Sequence, residues 1–166
     1  MIRPENENDI EQVFSVNSAA FDTSAEALLV NLLRANVNPV ISLVAENAGK
    51  IIGHIMFSPV TLSGNTQLKI MGLAPMAVLP ENQKSGVGSQ LISSGIEACK
   101  KLGYFGVVVL GHPEYYPRFG FAPSSEFNIK SEYDVPENVF MVQELKPKYL
   151  ANVSGVIKYH DAFKSV

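Results

Sequence analysis

Apolar residues recur along this chain at two spacings, three-to-four and two, and the change between them predicts its elements. Ile2 and Arg3 read as a short first strand ended by Pro4. Asp9 to Ala20 carries Ile10, Val13, Phe14 and Asn17 at helical intervals, with Asp9 near the start as a cap. Phe21-Asp22-Thr23-Ser24 reads as a break. Ser24 then caps a second helix through Arg34, with Leu28, Leu29, Leu32 and Leu33 as its apolar face. After a turn at Asn36 to Pro39 the spacing shortens. Ile41 to Glu46, Ile51 to Leu62 and Gln67 to Val78 read as an antiparallel meander, turning at Asn47-Ala48-Gly49-Lys50 and Ser63-Gly64-Asn65.

Gly72 and Pro75 interrupt the third of these strands. Proline donates nothing to a ladder and glycine weakens a strand interior, so both suit a bulge that bends the strand from its neighbour. An ordinary edge irregularity would carry them equally well. Val87 to Leu102 is the strongest helical pattern, with Val87, Leu91, Ile92, Ile96 and Cys99 on one face and Gly103 as its stop. Phe105 to Leu110 is a continuous apolar run, as in a strand covered on both sides. The last third is less regular, with strands at Phe140 to Leu145 and Gly155 to Tyr159. No repeat or linker divides the 166 residues, so 1–166 is expected to be a single domain.

Composition narrows the functions. An apolar fraction of 46% supplies a core, and a net charge of −3 without basic runs gives no footprint for nucleic acid or a polybasic membrane anchor. Cys99 is the only cysteine, which excludes an internal disulfide, and the three histidines are scattered, so no metal is expected. The N-terminal residues are polar and acidic, unlike a signal peptide, and no apolar run is long enough to span a membrane; a cytoplasmic protein is expected.

The chemistry concentrates at Gln83-Lys84-Ser85-Gly86-Val87-Gly88, between the third strand and the long helix. A helix start presents unpaired N–H groups and the positive end of the dipole, and glycine lets an anion approach the backbone. The order is neither G-x-G-x-x-G, since Leu91 stands at the third glycine, nor a Walker loop. After the helix and the apolar strand comes Tyr116-Pro117-Arg118-Phe119-Gly120-Phe121.

This ordered set resembles the GNAT superfamily of acyl-CoA-dependent N-acetyltransferases. Ser42 to Glu46, Gly53 to Val60, Tyr115 to Phe121 and Tyr159 to Phe163 extend the resemblance to its YhbS-like subgroup across nearly the whole chain. The resemblance implies an α/β (α+β) GNAT fold, with a mixed central sheet of about six to seven strands splayed into a V and about four flanking helices. It implies acetyl-CoA as co-substrate, bound through the main chain of Met76, Ala77 and Val78 and through the loop Gln83, Lys84, Ser85, Gly86, Val87, Gly88 and Ser89. The acceptor would be a primary amine of a small molecule or peptide.

Tyr116, four residues before Gly120, stands where the family places its general acid. A phenol suits that task because it donates a proton at neutral pH. Packing within an aromatic cluster of Tyr115, Phe119 and Phe121 is the competing role. The third strand holds no carboxylate, so the base is either a water chain or a residue from elsewhere: His112, Glu26 or Glu114. His54 reads as a satisfied core or surface histidine, His160 as structural, Cys99 as core and Arg118 as solvated. The missing carboxylate also leaves open a non-catalytic acyl-CoA-binding sensor or subunit. A monomer or homodimer is expected, the latter by pairing of strands near Gly155 to Tyr159.

Overall fold

Nine strands and three α-helices form the protein, described over residues 1–166 by a computed structural model. The helices are α1 (Ile10–Phe21), α2 (Ala25–Asn36) and α3 (Val87–Lys101). The strands are β1 (Ile2–Pro4), β2 (Ile41–Asn47), β3 (Lys50–Leu62), β4 (Ile70–Val78), β5 (Gly106–Leu110), β6 (Ala122–Pro123), β7 (Ile129–Ser131), β8 (Phe140–Glu144) and β9 (Gly155–Lys158). They hydrogen-bond in the order β1-β2-β3-β4-β5-β8-β6, with β9 beside the end of β3 and β7 beside β9. The sheet is mixed as expected: β4–β5 and β7–β9 are parallel, within a largely antiparallel sheet. The expected counts of six to seven strands and four helices are corrected to nine and three. The additional strands, β6 and β7, are two and three residues long, too short to carry a periodicity.

Internal contacts group the residues into two units: 1–58 with 74–98 and 161–166, and 59–73 with 99–160. In the first unit β3 is buried on both faces. Gly53 and Phe57 face α3. A Cβ at Gly53 would lie 3.0 Å from Val87 Cγ1, and one at Gly95 would lie 2.2 Å from the Phe57 ring. His54, on the other face, meets Asn17 of α1. Two glycines thus set how closely α3 approaches the sheet. The β2–β3 hairpin turns at Ala48 and Gly49, with φ of 51° and 79°, the pair of left-handed residues that a two-residue turn needs.

Several local expectations are corrected. Asp9 does not cap α1. It closes a capping box with Asn6 on the preceding 3₁₀ turn (Glu7–Asp9), its carboxylate accepting from the Asn6 amide at 2.8 Å. Arg3 forks onto the same carboxylate at 2.7 and 2.9 Å, which holds Asp9 below its ordinary carboxylate range. Ser24 makes no capping hydrogen bond. α2 buries Ala27, Leu29, Val30 and Leu33, leaving Leu28 46% exposed, so its inward face is rotated from the expected leucine stripe toward Ala27 and Val30. β4 starts at Ile70 because 65–69 are spent on turns.

In the second unit β5 is the central strand, with Val107, Val108 and Val109 all buried, between β4 and β8. Gly72 has a packing reason: a Cβ there would lie 2.9 Å from Val60 Cγ1 and 3.0 Å from the Tyr159 ring. β9 pairs with β3 through Thr61 and Leu62 and with β7 through Ile129 to Ser131. Both its edges are occupied within the chain, so the expected pairing of this strand across a dimer is corrected. No helix is long and apolar enough to cross a membrane.

Candidate functional site

β4 parts from β5 halfway along. Their parallel register covers Ile70–Gly106, Met71–Val107 and Gly72–Val108, while β4 continues to Val78. Pro75, which has no N–H, stands in the unpaired part. On the other edge the Leu79 amide donates to the Ile52 carbonyl at 2.9 Å. Antiparallel alternation then turns the backbone groups of Ala77 toward β3 and those of Met76 and Val78 toward the open side. Of the three expected main-chain ligands, Met76 and Val78 present their polar groups outward.

The loop follows directly. Gln83 Nε2 donates to the Val78 carbonyl at 3.1 Å, and the Ser85 hydroxyl donates to the Asn82 carbonyl. Lys84 and Gly86 take left-handed φ of 62° and 89°, and a Cβ at Gly86 would meet nothing within 4 Å. Residues 83–86 are exposed. The Gln90 amide donates to the Gly86 carbonyl at 3.1 Å, so the amides of Val87, Gly88 and Ser89 precede the first bond of the α3 ladder. Three orphan donors at the start of a 15-residue helix beside an open left-handed glycine are an arrangement suited to an anion.

His112 and Tyr116 stand together in the second unit. The His112 carbonyl accepts from the Tyr115 and Tyr116 amides at 3.1 and 3.3 Å, with the His112 side chain exposed. Tyr116 opens a 3₁₀ turn (Tyr116–Phe119) and is 7% exposed. Tyr115 and Phe121 lie edge-on to its ring at 5.2 and 5.7 Å. Gly111 makes the remaining room: a Cβ there would lie 2.2 Å from Tyr116 Cε2. Burial, with a smaller contribution from Tyr115, pushes the Tyr116 phenol up to about 12, so it stays protonated. The role of Gly111 was not read from the sequence, where it appears as one turn former among several. Arg118 is exposed and lies 5.6 Å from the Tyr115 ring centroid. Cys99 is buried and its thiol pushed up to about 12, as befits a core residue.

His54 is fully buried. Asn17 Nδ2 lies 3.1 Å from its Nδ1 and also donates to the Val13 carbonyl, while Ser42 Oγ lies 2.8 Å from its Nε2. The Asn17 donor assigns the imidazole as neutral, protonated at Nε2. Burial, then the charge of Arg34, pushes its pKa down to about 3. An unfolded histidine takes up a proton near pH 6.5, so this residue's contribution is whole above that pH and drains away as pH falls toward 3. Urea unfolding at pH 7 and pH 4.5 should show His54→Gln losing about 2 kcal/mol less on acidification than the parent protein. Equal losses would mean that His54 takes a proton in place.

The same architecture occurs in known proteins. Residues 1–124 match the acetyltransferase (GNAT) domain. The chain is 34% identical over 164 residues to the N-acetyltransferase YhbS of Escherichia coli K12, covering 98% of each. The crystal structure of Escherichia coli YhbS in complex with CoA superposes with a TM-score of 0.92 at 33% identity, covering 99% of this chain and 91% of that one. A GNAT family acetyltransferase from Brucella melitensis, in complex with acetyl-CoA, gives 0.81 at 34% identity, covering 98% and 97%. The splayed strand, the glycine loop at a helix start and the near full-length likeness place this chain in the GNAT family of N-acetyltransferases.

Proposed function

We propose that residues 1–166 act as one transferase domain that moves the acetyl group of acetyl-CoA to a primary amine of a small molecule or peptide by direct attack, in the cytoplasm. One observation carries this: β4 loses β5 after Gly72 and then runs, with Met76 and Val78 turned outward, into an exposed loop at the start of α3. The pantetheine arm, whose amides alternate as a strand's do, pairs with Met76 and Val78. The pyrophosphate takes the amides at Gly86 to Ser89. The complexes of YhbS with CoA and of the Brucella protein with acetyl-CoA support the choice of coenzyme.

The chemistry asks little of side chains. A neutral amine attacks the thioester carbonyl carbon, the C–N bond forms, and the C–S bond breaks to release a thiolate. The Val78 amide is assigned to the carbonyl oxygen as its charge develops. Tyr116 is assigned as the acid that protonates the thiolate, its burial keeping the proton available. His112, exposed in the same turn, is assigned as the base that takes the proton from the attacking amine. Holding both substrates face to face supplies much of the acceleration.

Thermal melting checks the first premise. Acetyl-CoA at about a hundred times its dissociation constant should raise the midpoint by about 5–10 °C. An unmoved midpoint at saturating coenzyme would sink the reading.

A further inference from the structure

Gln143 lies against the end of the turn that carries Tyr116. It belongs to β8, where it pairs with Val107 of β5. β6 runs along the other edge of β8, with Ala122 beside Val142 and Pro123 beside Met141. The residues that lead into β6, Gly120 and Phe121, therefore come alongside Gln143. The contact falls on Gly120: a Cβ there would lie 2.7 Å from Gln143 Nε2 and 3.3 Å from its Cδ. Only a residue without a Cβ lets the turn settle this far onto the glutamine.

Gly120 closes the turn that Tyr116 opens. Its φ is 98°, and its amide donates to the Pro117 carbonyl at 3.1 Å. Phe121, the next residue, lies edge-on to the Tyr116 ring at 5.7 Å. A proline and a left-handed glycine within four residues leave the turn little freedom to bend internally, so a shift at Gly120 is passed on to Tyr116. Gly111 supports the ring, and Gln143 supports the far end of the turn. The Gln143 Oε1 is buried and has no hydrogen-bond partner within the protein. The side chain is thus held by packing between β8 and the turn, not by a bond at that oxygen.

We propose that Gln143 is a positioning residue for acetyl transfer: it sets how closely Gly120 approaches β8, and so the distance from the Tyr116 hydroxyl to the departing sulfur. This rests on the reading of Tyr116 as the acid, whose proton passes from the phenol oxygen to the thiolate. That transfer runs along one short hydrogen bond, so a displacement of about 1 Å costs up to about 100-fold in rate while the coenzyme keeps its own contacts. Length at position 143 is what this role requires; the polarity of the amide is not.

The full chain is assayed for thiol release from acetyl-CoA with hydroxylamine, a nucleophile small enough for any acceptor site and uncharged at neutral pH. Gln143→Ala, which removes the support, should lower kcat by about tenfold, with the KM for acetyl-CoA changed by less than about twofold. Gln143→Met, of equal length and with no acceptor to bury, should recover most of that rate. Tyr116→Phe should itself be slow, and adding Gln143→Ala to it should cost less than about twofold more, because both act through one hydroxyl. A residue that merely stabilised the fold would cost the same factor in either background. Should Gln143→Ala fail to fold, Gln143→Asn, one methylene shorter than the parent, takes its place with the same expected signs. A parental kcat in the shortened variant, a methionine variant as slow as the alanine one, or losses that multiply in the double variant would each overturn the proposal. The two readings fail separately. A slow Tyr116→Phe beside a parental Gln143→Ala removes only the role of Gln143, whereas a parental Tyr116→Phe removes the acid and this role together. Thiol release no faster than the enzyme-free blank would overturn the transferase reading first.

Discussion

Replacing Tyr116 with phenylalanine should lower kcat for acetyl transfer by about 100-fold or more while changing coenzyme affinity by less than about twofold. The ring is held by Gly111, Tyr115 and Phe121, contacts that phenylalanine reproduces, so the substitution removes a proton and little else. The pH profile separates this role from packing. Burial holds the phenol at about 12, so the acid form persists through the whole neutral and alkaline assay range. The parent enzyme should accordingly show no falling limb from this residue near pH 10. A rising limb at lower pH reports deprotonation of the amine or its base, and it should survive in Tyr116→Phe at reduced height. Unchanged turnover in the variant would remove Tyr116 from the reaction.

Gly86→Glu should weaken acetyl-CoA binding by about 100-fold or more. Two effects add. At φ of 89° any side chain is strained, and the new carboxylate would stand at the proposed pyrophosphate position beside the α3 amides. No atom lies within 4 Å of a Cβ at this position, so the fold itself tolerates the change apart from the backbone strain. Gly86→Ala isolates that strain, since it carries the same φ and no charge. Alanine should therefore bind coenzyme far better than glutamate does, and fluorescence or calorimetric titration of both variants decides. Equal binding by the two would show that the diphosphate lies elsewhere.

The legible parts of this chain are those where one local signal has one structural solution. The left-handed turn at Ala48-Gly49, the triple-valine run of β5 and the stop at Gly103 are examples. The stretch from Gln83 to Gly86 was legible as an exposed loop for the same reason: polar residues and a left-handed glycine between a strand and a helix have few other local solutions. Where the outcome depends on distant packing, the local signal misleads. Leu28 and Leu32 look like core in a helical stripe, yet α2 turns its smaller Ala27 and Val30 inward. Gly72 reads as a bulge former, and its constraint is the room taken by Val60 and by the ring of Tyr159, far along the chain. Gly111 gives no hint in one dimension that a tyrosine five residues on will rest against it. β6 and β7 exist because β8 and β9 offer them edges, not because their few residues prefer extension.

The bond from Gln83 to the Val78 carbonyl has a kinetic meaning. It ties the first residue of the proposed phosphate loop to the last residue of β4, so the shape proposed to receive the nucleotide end is held by the chain itself. Little disorder then has to be surrendered on docking. Coenzyme capture at the proposed loop is then expected to follow the frequency of encounters rather than the wait for a segment to find its shape.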